Sequence, residues 1–176
     1  MTFQIEPGIG VGPVKLGMSK DAVHAALGIP KSSRDGREGF LDGFFVDFDD
    51  AGFVEFIELA KSGDFTALFE GVSLHDLAAD EAVQFVSRFD QFSNNNREHG
   101  YSFIFPKLQM SLWRGTIPEE DQDENDPDGR YFEAIGVAVS GYFDGNIPPL
   151  SPAPVPVLAV PGAAGAKANS WQSRTL

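Results

Sequence analysis

The most restrictive feature of this chain is the run GFFVDFDDAGFVEFIELA at residues 43–60, in which apolar side chains recur at every second position. A period of two residues is typical of a β-strand with one buried face. The run breaks at Asp50-Ala51-Gly52 and resumes over residues 53–59, which is typical of a hairpin. The alternation sets Phe44, Val46 and Phe48 against Phe45, Asp47 and Asp49. The sequence therefore predicts antiparallel strands joined by a short turn.

A short helix is predicted before this hairpin, over residues 20–27. Ser19 is a good N-cap, because its hydroxyl can accept a hydrogen bond from a free amide of the first turn. Gly28 suits the position just past the helix, and Pro30 prevents the helix from continuing. The apolar side chains fall at helical spacing, at Val23, Ala26 and Leu27.

The glycine-rich stretch GIGVGPVKLGMS, residues 8–19, raises the possibility of a phosphate-binding loop. A dinucleotide fingerprint needs Gly-x-Gly-x-x-Gly between a buried strand and the start of a helix. Here Gly8, Gly10 and Gly12 alternate, Pro13 follows, and the helix begins only after Ser19. The stretch also lacks the Gly-Lys-Ser/Thr ending of a P-loop. We therefore interpret it as an irregular strand that leads into the helix.

A second helix followed by strands is predicted about 60 residues later. Asp80 can cap a helix that runs to about residue 89. Its apolar stripe consists of Ala82, Phe85, Val86 and Phe89. Strands are predicted over residues 101–105, 108–114 and 131–143, and in the first half near Phe40 and over residues 66–70.

Two such units predict an α+β fold, in which two helix-plus-antiparallel-strand repeats form one antiparallel sheet with the helices packed on one face. A parallel α/β fold is disfavoured, because the strands follow one another through short turns. We expect a single domain over residues 1–145, with tandem halves at about 1–70 and 71–145. Residues 146–176 hold six of the twelve prolines and no acid, which predicts a flexible tail.

The composition limits the possible partners. The net charge is −13, and residues 1–145 hold all 26 acids and 11 of the 13 basic residues, which gives that part a charge of −15. Such a field repels nucleic acids and anionic membranes and attracts basic proteins. The chain has no cysteine, no apolar run long enough to span a membrane and no evident secretory leader. These features predict a cytoplasmic protein that binds neither nucleic acid nor membrane.

Seven carboxylates within residues 119–128 are the strongest local anomaly in the sequence. The segment does not fit a calcium-binding EF-hand loop, because neither possible frame has both the glycine at position six and the glutamate at position twelve. A solvated acidic turn, weak cation binding and a contact surface for a basic protein all stay open. For the contact surface, the predicted residues are Glu119, Glu120, Asp121, Asp123, Glu124, Asp126 and Asp128, with Trp113, Tyr131 or Phe132 as aromatic anchors. Trp113 can equally be a core residue.

The histidines offer a contrasting hypothesis. His24, His75 and His99 form no recognisable zinc or nucleophile motif, so neither a metal nor another cofactor is expected. A small hydrolase or ligand-binding domain would have to combine His75, Asp76 and His99 in three dimensions. The sequence contains no recognisable nucleophile to serve with them.

Two segments resemble a known type of protein. GPVKLGMSKDAVHAALGIP, residues 12–30, is similar to the strand, Gly-Met-Ser, helix and Leu-Gly-x-Pro element of bacterial proteins of the BamE and beta-lactamase inhibitory protein type. ALFEGVSLHDLAADEAVQFVSRF, residues 67–89, looks like a second copy of this element, as in bacterial immunity proteins paired with toxins. The resemblance implies a tandem binding fold without an active site, in which Ser19, Gly28 and Pro30 determine the fold. It implies an immunity or inhibitor protein that neutralises a toxin.

Overall fold

The computed structural model describes residues 1–93, 100–123 and 126–144. Within these ranges the chain forms eleven strands, two α-helices and one 3-10 turn at Leu74–Asp76. The helices are α1 (Lys20–Leu27) and α2 (Ala79–Val86). The strands are β1 (Thr2–Glu6), β2 (Gly10–Val11), β3 (Val14–Lys15), β4 (Ser32–Arg34), β5 (Arg37–Phe40), β6 (Phe44–Phe48), β7 (Val54–Ala60), β8 (Thr66–Leu68), β9 (Ser102–Phe105), β10 (Met110–Trp113) and β11 (Ala134–Ala138).

Seven of the strands form an antiparallel sheet in the order β4-β5-β6-β7-β11-β10-β9. Its centre is the predicted hairpin, because β6 and β7 pair from Phe44↔Leu59 to Phe48↔Val54 across the turn at residues 49–53. The prediction of this hairpin is confirmed. Strand β11 pairs with β7, so the last described strand lies in the middle of the sheet and not at its edge.

The other four strands form a smaller sheet in the order β3-β2-β1-β8. Strand β1 runs parallel to β8, with Thr2 opposite Thr66. The glycine-rich stretch supplies β2 and β3, as the interpretation of a lead-in strand requires. A Cβ atom at Gly10 would lie 2.2 Å from the carbonyl oxygen of Val14, so glycine is needed there for the strands to approach each other.

The predicted fold class is wrong. The chain is mostly β and contains two sheets, whereas the sequence predicted one sheet built from helix-plus-strand repeats. Three strands precede α1 and five separate it from α2, so the order of elements does not repeat. The helices have only eight residues each, and none in the described part is long and apolar enough to cross a bilayer. The proposed tail, residues 146–176, lies outside the described residues.

One hydrophobic core is shared by the two sheets and the helices. Phe44 on β6 packs edge-on against Phe3 on β1, with ring centroids 5.8 Å apart, and contacts Phe65 at the same distance. Val23 buries one side of α1 in this core. On α2, the Phe85 ring meets Phe69, which follows β8.

The two helices differ in how well the sequence predicted them. Helix α1 covers the predicted residues, and the Ser19 hydroxyl accepts a hydrogen bond from the Ala22 amide at 3.4 Å. Helix α2 is shorter than predicted, because it begins at Ala79 and ends at Val86. Its N-cap is Ala78, whose side chain makes no capping hydrogen bond, and Asp80 instead lies within the first turn.

Candidate functional site

The acidic loop, which we define as residues 115–130, connects β10 to β11 and is held at its base by a buried arginine. Arg114 is 7% exposed. Its guanidinium donates to the carbonyl oxygen of Gly100 at 2.7 Å and to that of Gly129 at 2.6 Å. Burial lowers the pKa of this guanidinium. Arg114 therefore fixes the last turn of the acidic loop to the segment before β9.

A second arginine organises the tip of the loop through backbone contacts. Arg130 donates from Nε to the carbonyl oxygen of Asp126 at 2.6 Å and from Nη2 to that of Asp123 at 3.0 Å. The amide nitrogen of Gln122 donates to the carbonyl oxygens of Asp126 and Asp128, at 3.2 and 2.9 Å. These polar side chains bind main-chain oxygens, so the loop is folded without using its carboxylates in these contacts.

Four carboxylates of the acidic loop face solvent. Glu119, Glu120, Asp121 and Asp128 are exposed, and in the part of the chain that the structure describes no basic side chain pairs with any of them. Asp126 is half-buried, and its Oδ1 accepts a hydrogen bond from the Asp128 amide at 3.0 Å. The predicted residues Asp123 and Asp126 belong to the same loop, and Glu124 lies outside the described residues.

The loop borders a shallow, open pocket of about 390 Å³. Its walls include Thr116 and Ile117 together with acidic and amide side chains of the loop. No three His, Asp or Glu side chains within the described ranges converge closely enough to hold a metal ion. The arrangement is a concentration of negative charge that is open to solvent.

The three predicted aromatic anchors have different environments. Tyr131 is 39% exposed, and Lys61 Nζ lies 5.6 Å from the centre of its ring. Trp113 is half-buried at the end of β10, beside Gly115. Phe132 is only 1% exposed and packs against Phe103, so its prediction as an anchor is wrong. Tyr131 and Trp113 thus border the acidic loop, whereas Phe132 belongs to the core.

The residues of the contrasting hydrolase hypothesis do not come together. His75 is 5% exposed, whereas Asp76 is exposed and pairs with Lys61 at 3.1 Å. His99 lies outside the described residues. His24 contacts a different carboxylate, Glu38, at 2.6 Å. The structure therefore gives no support to a site formed by His75 and Asp76.

The carboxylate of Glu38 contacts three polar side chains and connects α1 to β5. It accepts hydrogen bonds from Lys20 Nζ at 2.7 Å, from the His24 ring at 2.6 Å and from the Ser33 hydroxyl at 3.2 Å. Burial opposes the charge of Glu38, but the hydrogen bonds from Lys20 and His24 prevail and lower its pKa. The hydroxyl and the imidazole bind opposite oxygens of Glu38, so this set lacks the nucleophile–base contact of a catalytic triad.

Sequence reasoning missed a charged cluster on the large sheet, in which Glu58 is buried and Arg37 and Asp47 are half-buried. Arg37 donates to both carboxylate oxygens of Asp47, at 3.2 and 3.1 Å, and its other terminal nitrogen donates to Glu58. Glu58 is 3% exposed, and burial raises its pKa and that of Asp47 although Arg37 opposes both shifts. The Asp42-Gly43 dipeptide, which favours a tight turn between β5 and β6, was the signal that could have placed Arg37 opposite Asp47.

Comparison of the chain with models of protein families, with curated proteins and with solved structures gives no match. The resemblance to the BamE and beta-lactamase inhibitory protein type therefore stays a prediction.

Proposed function

We propose that this chain is a non-enzymatic binding protein of the immunity or inhibitor type, which captures the basic surface of a protein toxin with its acidic loop. The observation that carries the proposal is the arrangement of Glu119, Glu120, Asp121 and Asp128. These exposed carboxylates have no basic partner among the described residues, and the loop that presents them is tied down through its main chain by Arg114 and Arg130.

Charge and preorganisation favour this function together. A surface of concentrated negative charge raises the encounter rate with a basic partner, and complementary charges then fix the register of the complex. A loop that is already folded loses less conformational freedom on binding than a mobile one. Tyr131 and Trp113 lie next to the loop and supply apolar contact area, which is where binding energy concentrates in many interfaces.

The proposed action is occlusion of the partner. The acidic loop offers carboxylates to a basic protein and, by the same field, disfavours nucleic acids. We place the encounter in the cytoplasm, because a chain without cysteine gains nothing from an oxidising compartment.

Co-expression with the product of the neighbouring gene tests the proposal. We expect the neighbour to inhibit growth when it is expressed alone, and we expect the full chain to restore growth and to copurify with it. A control chain in which Glu119, Asp121 and Asp128 are replaced by Gln, Asn and Asn should protect poorly at the same expression level. A neighbour that is harmless alone and binds nothing would contradict the immunity function.

A further inference from the structure

A buried histidine joins the end of the large sheet to the exit of the acidic loop. His75 lies in the 3-10 turn Leu74–Asp76, and its imidazole is buried against the backbone of Leu59 and Glu133. Its Nε2 atom makes no hydrogen bond within the described part of the chain. Leu59 is on β7 and Glu133 immediately precedes β11. The ring therefore lies at one end of the paired strands β7 and β11, which we call the central strand pair.

The same turn is connected to the acidic loop. The Ala79 amide, at the start of α2, donates to the carbonyl oxygen of Arg130 at 2.8 Å. Ala78 and Tyr131 form an isolated antiparallel β-bridge. Arg130 in turn binds the carbonyl oxygens of Asp123 and Asp126 in the loop. Residues 74–79 thus connect the buried imidazole to the arginine that organises the loop.

We propose that His75 is an acid-sensitive latch, whose protonation opens the segment 73–79 and releases residues 130–131 at the exit of the acidic loop. A protonated imidazole has two N–H groups, and in the closed turn the buried Nε2 makes no hydrogen bond to the described residues. Opening the segment brings the ring into water, where it is solvated.

The charged groups around the ring define the pH range of the latch. Lys61 disfavours an imidazolium, whereas Asp76 favours it, and the Glu133 carboxylate is turned toward the Gly115 amide at 2.9 Å. Burial is the largest effect, and it outweighs the backbone hydrogen bonds of Leu59 and Glu133, which favour the imidazolium, so the pKa of His75 falls to about 4. The pKa of Asp76 is also lowered, by hydrogen bonds from Ser73 and Lys61, so the pair between Asp76 and Lys61 keeps its charge while His75 takes up a proton.

The sign of the effect follows from these pKa values. The closed form holds His75 neutral, so the closed form is fully favoured above the ordinary histidine pKa of 6.5 and loses stability as the pH falls toward 4. The opening equilibrium constant should therefore rise about tenfold for each pH unit below 6.5, to a total of about 300-fold. If the proposed function holds, loosening of the acidic loop would weaken partner binding in the same range, but the opening itself does not depend on that function.

Amide hydrogen exchange in the full chain tests the latch without any partner. We expect the protection factor of the Ala79 amide to fall about 100-fold between pH 7 and pH 4, and at both pH values we expect Ala79 to be less protected than Val137 on β11, because the opening is local. His75→Phe should remove the change at Ala79, and His24→Gln should leave it as in the unmodified chain. Protection of Ala79 that does not depend on pH, an unaltered change in His75→Phe, or protection of Ala79 equal to that of Val137 would overturn the proposal.

The unmodified chain provides a second measurement if His75→Phe does not fold. Titration of the imidazole signals by nuclear magnetic resonance should show that His75 gains its proton only as Ala79 loses protection. A His75 signal that titrates near pH 6.5, with Ala79 still protected, would overturn the latch.

Discussion

Replacement of Arg37 by methionine is expected to lower the free energy of unfolding by about 3–5 kcal/mol. The guanidinium of Arg37 binds both Asp47 and Glu58, and its removal leaves the Glu58 carboxylate buried without a partner. Chemical denaturation at pH 8 measures the loss. Burial already raises the pKa of Glu58, so without Arg37 this carboxylate takes up a proton more readily. The difference in unfolding free energy between the variant and the unmodified chain should therefore become smaller as the pH falls toward 5.

Two further variants show whether the unpaired carboxylate causes the loss. Arg34→Met removes an arginine from the neighbouring strand β4. Arg34 is exposed and, among the described residues, pairs with the exposed Asp35, so a loss of less than about 1 kcal/mol is expected. The double variant Arg37→Met, Glu58→Met should recover most of the stability, because apolar residues can replace a buried ion pair at little cost. A double variant as unstable as Arg37→Met would contradict this explanation.

Replacement of Phe44 by alanine is expected to cost about 3–5 kcal/mol. Phe44 is fully buried and joins the two sheets, because its ring contacts Phe3 on β1 and Phe65 just before β8. Its removal leaves a cavity where the sheets meet, and the rigid strands on both sides cannot close it completely. Thermal and denaturant unfolding of the full chain measure the loss.

Phe53→Ala is the matched control for Phe44→Ala. Phe53 is 45% exposed in the turn between β6 and β7, so its replacement should cost less than about 1 kcal/mol. Equal losses for the two variants would mean that the small sheet does not share a core with the large one.

Local signals in the sequence predicted local structure well. The extent of α1 was predicted correctly, because Ser19, Gly28 and the apolar spacing all act within one short segment. The hairpin of β6 and β7 was predicted for the same reason. The division into two sheets was not, because the parallel pairing of β1 with β8 joins residues 2 and 66 and has no local signature.

In the candidate site, too, the sequence predicted the local features and missed those that depend on long-range contacts. The sequence identified the carboxylates of residues 119–128, but composition does not show that Arg114 and Arg130 bind main-chain oxygens. Nor does it show that Glu119, Glu120, Asp121 and Asp128 have no basic partner among the described residues. The Arg37 cluster depends on the pairing of three strands. Only the pairing of β5 with β6 could be predicted locally, since Asp42-Gly43 favours a hairpin turn there and Gly43 has the positive φ that such a turn requires.

The central claim is that the acidic loop, and not the overall negative charge, captures a basic partner. Titration with a labelled peptide of ten arginines at physiological salt tests it most directly, with the unmodified chain and two variants of equal net charge. One variant carries Glu119→Gln, Asp121→Asn and Asp128→Asn in the loop. The other carries Asp42→Asn, Asp50→Asn and Glu70→Gln, which change exposed carboxylates elsewhere.

We expect the loop variant to bind the peptide about tenfold more weakly than the unmodified chain, because three lost carboxylates remove contacts worth about 0.5 kcal/mol each. The variant with the distant substitutions should stay within about twofold of the unmodified chain. Equal weakening in both variants would show that the peptide senses only the total charge, and it would contradict the assignment of the acidic loop as the binding site.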